Sequence, residues 1–257
     1  MIAGNGTYRG EYPSKEITRE FVWLQHLNLL GSDKFKAVPH VFLASRIAGD
    51  VGTLQSMGVP ALNIWAVEKD RRQYRPLLER RKKEGFRLFP QKIESFLGSH
   101  PEIQSVYLDY CGNLQGTSKV TRRVVSQLPK GSALSITLFL GREHECPEDR
   151  EADLVQQVRE STRHPVTVVQ SIFYLSFHNP DEPFGVPMGT WSFFIGGRDS
   201  RSRMRFDLHE FTHTEIKNLT TEPGKVRLLW QSRLKQAEVR RLAAIKANRS
   251  RMVGASR

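Results

Sequence analysis

Cysteine is almost missing from this chain of 257 residues: Cys111 and Cys146 are the two that occur, with no Cys-x-x-Cys pair and no Cys/His cluster. That argues against a disulfide framework and a structural zinc site, and a reducing intracellular compartment is expected. No apolar run approaches the roughly eighteen residues that a membrane span needs. The N-terminal stretch lacks the apolar centre of a secretory leader. Acidic residues are also in short supply, 27 against 39 Lys and Arg, which leaves a net charge of +12 and a pI near 10.0. Such an excess suits an anionic partner, nucleic acid first. What remains, 39% hydrophobic and 26% charged residues, is enough for one large α/β core.

Residues 16–30 place Ile17, Phe21, Val22, Leu24, Leu27 and Leu30 near helical spacing and predict an amphipathic helix. Short apolar runs then alternate with helical stretches. Strands are expected at 40–44, 62–67, 86–89, 105–108 and 133–140, and helices at 52–57, 71–84, 93–97, 119–128 and 151–163. Later strands are expected at 166–177 and 191–195, joined by a turn-rich stretch containing Pro180, Pro183, Gly185 and Pro187. The alternation predicts right-handed crossovers: a doubly wound, mostly parallel seven-stranded sheet, flanked by helices and ending in an antiparallel β-hairpin. The expected organisation is an N-terminal helical segment (1–36), an α/β domain (37–200) and a basic C-terminal extension (201–257).

In such sheets ligands gather at the carboxyl ends of the strands, where small residues let backbone approach the ligand. The first strand runs into Ser45, Gly49, Asp50 and Gly52, and the second ends at Glu68, roughly twenty residues after Gly49. An ionised carboxylate is an acceptor only, which suits the two hydroxyls of a ribose.

The order strand, small-residue loop, helix, strand, Glu68, followed by VEKDRRQYRPLLERR, resembles the class I S-adenosylmethionine-dependent methyltransferases. The similarity spans residues 41–197, and LDYCGN (108–113) falls where that family carries its fourth motif. The late hairpin is also typical of that family, whereas nicotinamide-binding domains lack it. The resemblance implies S-adenosylmethionine as cofactor, with Ser45, Gly49, Asp50, Gly52, Glu68 and Asp109 around it and Gln91 toward the adenine. The glycine-rich G-x-G-x-G loop is replaced by ASRIAGDVG.

Asp109, Tyr110 and Cys111 are the catalytic candidates. Relatives that methylate exocyclic amines carry an acid or amide, two prolines and an aromatic here; this chain keeps Asp109 and places Tyr110 one step later, without the prolines. Cys111 as a thiolate nucleophile is a second option. A third is hydroxyl methylation, with Asp109, Lys119 and Glu143 as a charged set. His209 and His213 have metal-ligand spacing without an evident third ligand, so no metal site is expected. The stretch 225–257, almost free of acid, is a candidate nucleic-acid-binding arm. These features together predict an S-adenosylmethionine-dependent methyltransferase acting on RNA or DNA; the alternative is an inactive methyltransferase-like scaffold that binds nucleic acid.

Overall fold

Four short strands with few polar side chains, β1 (His40–Leu43), β2 (Ile64–Val67), β4 (Ser105–Asp109) and β5 (Ser132–Phe139), lie buried in the middle of a sheet whose two faces are both covered. They pair in parallel, with β3 (Arg87–Phe89) added beyond β2. The computed structural model describes residues 13–45, 48–110, 112–140, 147–176, 185–196, 203–222 and 224–254. Strands β6 (Val166–Ser176) and β7 (Val186–Ile195) form the antiparallel hairpin, and β7 inserts between β5 and β6. The resulting order is β3-β2-β1-β4-β5-β7-β6-β8.

The sheet has eight strands, not the seven expected. The extra one, β8 (Met204–Asp207), runs parallel to β6 and comes from the end of a stretch that reads as a basic run. Met204 and Phe206 are buried while Arg205 is exposed, so a two-residue alternation was hidden among arginines. Along β7, Gly189 lies under the ring of Trp191, where a Cβ would collide with the indole.

The side-chain alternation of the central strands sorts two apolar layers. Phe42, Ala66, Leu88 and Tyr107 face α1 (Pro13–Leu30), α2 (Ser32–Ala37), α3 (Gly49–Ser56) and α4 (Arg71–Glu84). Val41, Trp65, Val67, Val106 and Leu108 face α5 (Ile93–Gly98), α6 (Leu114–Gln127) and α7 (Pro147–Glu160). Helix boundaries follow local chemistry. Asp70 and Asn113 accept backbone N–H bonds at the starts of α4 and α6, and Gly85, at φ 76°, closes α4 in the left-handed conformation. Helix α8 (His213–Thr221) starts with a Thr212–Glu215 capping box, and α9 (Lys225–Gly254) follows. Val226, Trp230 and Ala237 bury the first half of α9 in the same layer as α1.

Helix α1 is more deeply set than an amphipathic surface helix. Thr18, Arg19, Gln25 and His26 are buried along with its apolar residues. Beneath it a polar seam crosses the sheet. His40 Nε2 lies 2.6 Å from the Phe35 carbonyl and His40 Nδ1 lies 2.7 Å from Ser105 Oγ. Ser105 Oγ also meets His26 Nδ1 at 2.8 Å, and His26 Nε2 meets Ser135 Oγ at 2.9 Å. A carbonyl only accepts, so His40 carries its proton on Nε2, and the proton directions along the seam follow from that. Burial lowers the pKa of His40 to about 4 and that of His26 well below its ordinary value, so both rings are neutral. Ser105 therefore donates to His40 Nδ1 and accepts from His26 Nδ1–H, and Ser135 donates to His26 Nε2. Each member is satisfied once the direction is set, which locks α1 to β1, β4 and β5.

Candidate functional site at the carboxyl ends of the central strands

The loop after β1 leaves the sheet at Ala44, whose N–H donates to the Val67 carbonyl at 3.1 Å. It turns into α3 through Ala48, whose φ of 43° and ψ of 47° make it the one non-glycine residue with positive φ among the described residues. The loop thus makes the left-handed turn usually left to glycine, at an alanine that is itself buried. Ser45 is exposed and its carbonyl accepts from Ala48 N–H at 3.0 Å. Gly49 opens α3 and Gly52 lies within it, exposed and with space for a side chain.

Glu68 follows directly on β2 and is half-buried. Its backbone N–H extends the sheet by donating to the Phe89 carbonyl at 3.0 Å, and its Oε1 accepts from the Asp70 N–H at 2.6 Å. Asp70 in turn caps α4, so the start of that helix holds the carboxylate in place. Burial raises the Glu68 pKa, opposed mainly by the Asp70 N–H bond. Gln91 lies half-buried just after β3.

Asp109 ends β4. Its Oδ2 is 2.8 Å from Lys15 Nζ, and the two side chains are 9% and 14% exposed. Its Oδ1 is buried with no hydrogen-bond partner among the described residues. Asp50 is buried nearby: Oδ1 accepts from Trp23 Nε1 at 2.9 Å, and Oδ2 lies 3.3 Å from Arg19 Nε. Burial raises the Asp50 pKa to about 6, against the opposing pull of Arg19 and Trp23, while the Asp109 charge raises it further. Lys15, Arg19, Asp50 and Asp109 thus form a neutral quartet between α1, the start of α3 and the end of β4.

Several predicted site residues are placed elsewhere. Both carboxylate oxygens of Asp50 are engaged by α1, which makes it a brace between helices. Tyr110 is packed into the apolar layer of α5 and α6, with Thr121 donating to its hydroxyl at 3.5 Å, and burial raises its pKa. Lys119 is exposed on α6. Gly49 and Gly52 line a cleft of about 310 Å³ between α1, α3, α8 and α9, together with Glu16, Arg19 and Glu20; neither Glu68 nor Asp109 lines it. His209 lies in a short turn and His213 opens α8, so they share no helix face, and the described residues contain no metal-binding cluster. Cys111, Glu143, His144, Cys146 and His178 lie outside the described residues. Lys15, Arg19 and Trp23 carry no sequence signal: their partners lie 27 to 94 positions away, and α1 reads as a plain amphipathic helix.

No protein-family model and no curated protein sequence matches the chain. Solved structures do. A candidate RNA methyltransferase from Pyrococcus horikoshii superposes with a TM-score of 0.54 at 12% identity, covering 74% of this chain and 88% of its own. A S-adenosylmethionine-dependent methyltransferase from Clostridium acetobutylicum gives 0.46 at 12% identity over 73% and 93% of the two chains. An rRNA methylase from Streptococcus thermophilus gives 0.45 at 12% identity over 74% and 99%. At this identity the likeness concerns the fold, and the first comparison carries it. That likeness and the strand order of this chain, in which an antiparallel β7 separates β5 from β6, lead to one conclusion: the chain has the fold of the class I S-adenosylmethionine-dependent methyltransferases.

Proposed function

We propose that this chain is an S-adenosylmethionine-dependent methyltransferase acting on nucleic acid. The observation that carries the proposal is Glu68, a half-buried carboxylate fixed at the end of β2, the edge of a doubly wound sheet where ligands gather. The residues present fit the cofactor. Glu68 supplies acceptors for a vicinal diol, Ala48 supplies the backbone turn that a glycine-rich loop would make, and Asp109 Oδ1 is a buried acceptor in need of a donor. When bound, S-adenosylmethionine supplies an electrophilic methyl group on a sulfonium. The chain's own task is then to hold the ribose at Glu68, keep water from the crevice and orient the acceptor. Ser45 and Gln91 would line the same site from the β1 and β3 loops.

Nucleic acid as substrate is supported by the charge of +12 and by α9, in which nine Lys and Arg residues face a single acid, Glu238. The arm at 225–257 would contribute phosphate contacts. A non-catalytic scaffold is favoured by one specific observation, the Lys15 contact on Asp109. Calorimetric titration with S-adenosylmethionine separates the two. Binding that Glu68→Ala weakens supports the enzyme, and a titration without heat up to millimolar ligand supports the scaffold.

A further inference from the structure

We propose that the outer stripe of helix α9 docks an acidic amphipathic helix of a partner protein, a role separate from the methyl transfer proposed above. Val226, Trp230 and Ala237 bury one face of α9 against the body of the molecule. A second apolar set points the other way. Leu228 is 65% exposed, Val239 66% and Leu242 55%; among the described residues, Leu62 is the other large apolar side chain so exposed. At about 3.6 residues per turn, Val239 comes about three turns after Leu228 and Leu242 about four. The three therefore fall on one stripe about 60° wide, opposite the buried face. Scattered exposed apolar residues need no explanation, but a row of them opposite a buried face does. The row Leu228, Ser232, Lys235, Val239, Leu242 and Lys246 also has the alternating spacing of a two-helix seam.

Charge identifies the occupant. Lys235 and Lys246 stand in the seam itself, and α9 carries nine Lys and Arg residues against one acid, Glu238. A second copy of the chain would set this helix against an equally basic one, and like charges along a seam oppose pairing. A lipid surface suits a helix whose lysines lie on the polar face, not between its apolar residues. A phosphate backbone pairs with the lysines but has nothing apolar to cover Leu228, Val239 and Leu242. A helix with apolar residues opposite those three, and Glu or Asp opposite the lysines, satisfies both halves of the stripe. The apolar side chains then leave water and supply the affinity, while the ion pairs set register and orientation. Arg227, Arg233 and Arg240 lie off the stripe, so docking there is compatible with phosphate contacts from the rest of α9.

The test uses the full chain and reads binding by fluorescence anisotropy with three labelled helical peptides of about three heptads. The first has Leu and Val along its seam and Glu opposite and beside the lysines. The second has each Glu replaced by Lys, and the third keeps Glu but has Ala along the seam. The first is expected to bind with a Kd on the order of 10 μM, and the other two at least about tenfold more weakly. Val239→Gln with Leu242→Gln keeps the charge and the helix propensity, and is expected to lower that affinity at least about tenfold. Lys235→Glu with Lys246→Glu is expected to reverse the preference between the Glu and Lys peptides. Lys34→Glu with Lys83→Glu, which changes two exposed lysines on α2 and α4, is expected to leave it unchanged. All these side chains are exposed, so wild-type circular dichroism is expected throughout. Equal affinity for the three peptides, no binding of the first, or a preference that survives Val239→Gln with Leu242→Gln overturns the proposal. So does a loss, in that same neutral variant, of self-association in sedimentation, of oligoribonucleotide affinity or of affinity for phosphatidylserine vesicles, because each assigns the stripe to that occupant instead.

Discussion

Trp23 Nε1 donates to Asp50 Oδ1 at 2.9 Å, joining the helix before the first strand to the helix after it. Both groups are buried, so the bond brings two otherwise unsatisfied polar atoms together near the carboxyl ends of the central strands. Trp23→Phe keeps most of the apolar ring and removes the donor. A loss of about 1–3 kcal/mol in unfolding free energy is expected from urea titration, because the Asp50 carboxylate is left underpaired. No change in the urea midpoint would mean that Arg19 alone satisfies Asp50.

The serine shared by two histidines gives a second prediction. Ser105 Oγ meets both His26 Nδ1 and His40 Nδ1, so Ser105→Ala strands a donor on one ring and an acceptor on the other. The expected cost is about 2–4 kcal/mol, larger than that of a single exposed serine, measurable as a lower midpoint in chemical denaturation.

Acid should destabilise the fold, and the sign follows from proton uptake. His26 and His40 are neutral in the folded chain, with His40 at about 4, whereas in the unfolded chain they gain protons near their ordinary value of 6.5. Their contribution is therefore complete above about pH 6.5 and is lost as pH falls toward 4. Asp50 acts in the opposite sense. Its folded pKa of about 6 exceeds the ordinary 3.8, so the folded chain takes up a proton first, and stability is gained as pH falls through 6. Asp50→Asn removes this offset. A steeper loss of urea stability between pH 6.5 and 4 is expected in that variant than in the wild-type chain, and a shallower one would contradict the assignment.

The two halves of α9 should separate in a truncation. Val226, Trp230 and Ala237 anchor its first part, while Val239 and Leu242 are exposed and 243–257 adds Lys246, Arg249, Arg251 and Arg257. Removing 243–257 should leave thermal stability nearly unchanged and lower both nucleic-acid affinity and its salt slope, by up to about three units for a single strand. An unchanged slope would place the phosphate contacts elsewhere. Removing 225–257 should instead destabilise the fold, since Trp230 leaves the core.

Much of the fold was legible because its causes are local. β1, β2, β4 and β5 are compact apolar runs, and Gly85 punctuates α4. β8 was not, because arginines masked the alternation of Met204 and Phe206. Of the candidate site residues, Glu68 and Asp109 lie at the ends of β2 and β4, where the sequence puts them. Their surroundings were not legible. Lys15 reaches Asp109 across 94 positions, and whether Asp50 faces a ligand or a helix is decided by packing that no spacing records. The left-handed turn at Ala48 shows the converse, a glycine-like conformation made without glycine.

The central claim is that the crevice between the β1 loop and Glu68 holds S-adenosylmethionine, and isothermal titration calorimetry with wild type and Glu68→Ala tests it most directly. The wild-type chain is expected to bind in the micromolar to low millimolar range, with Glu68→Ala weaker by about 1.5–3 kcal/mol, the worth of a hydrogen bond to a charged group. No binding by the wild-type chain, or equal binding by the variant, would contradict it.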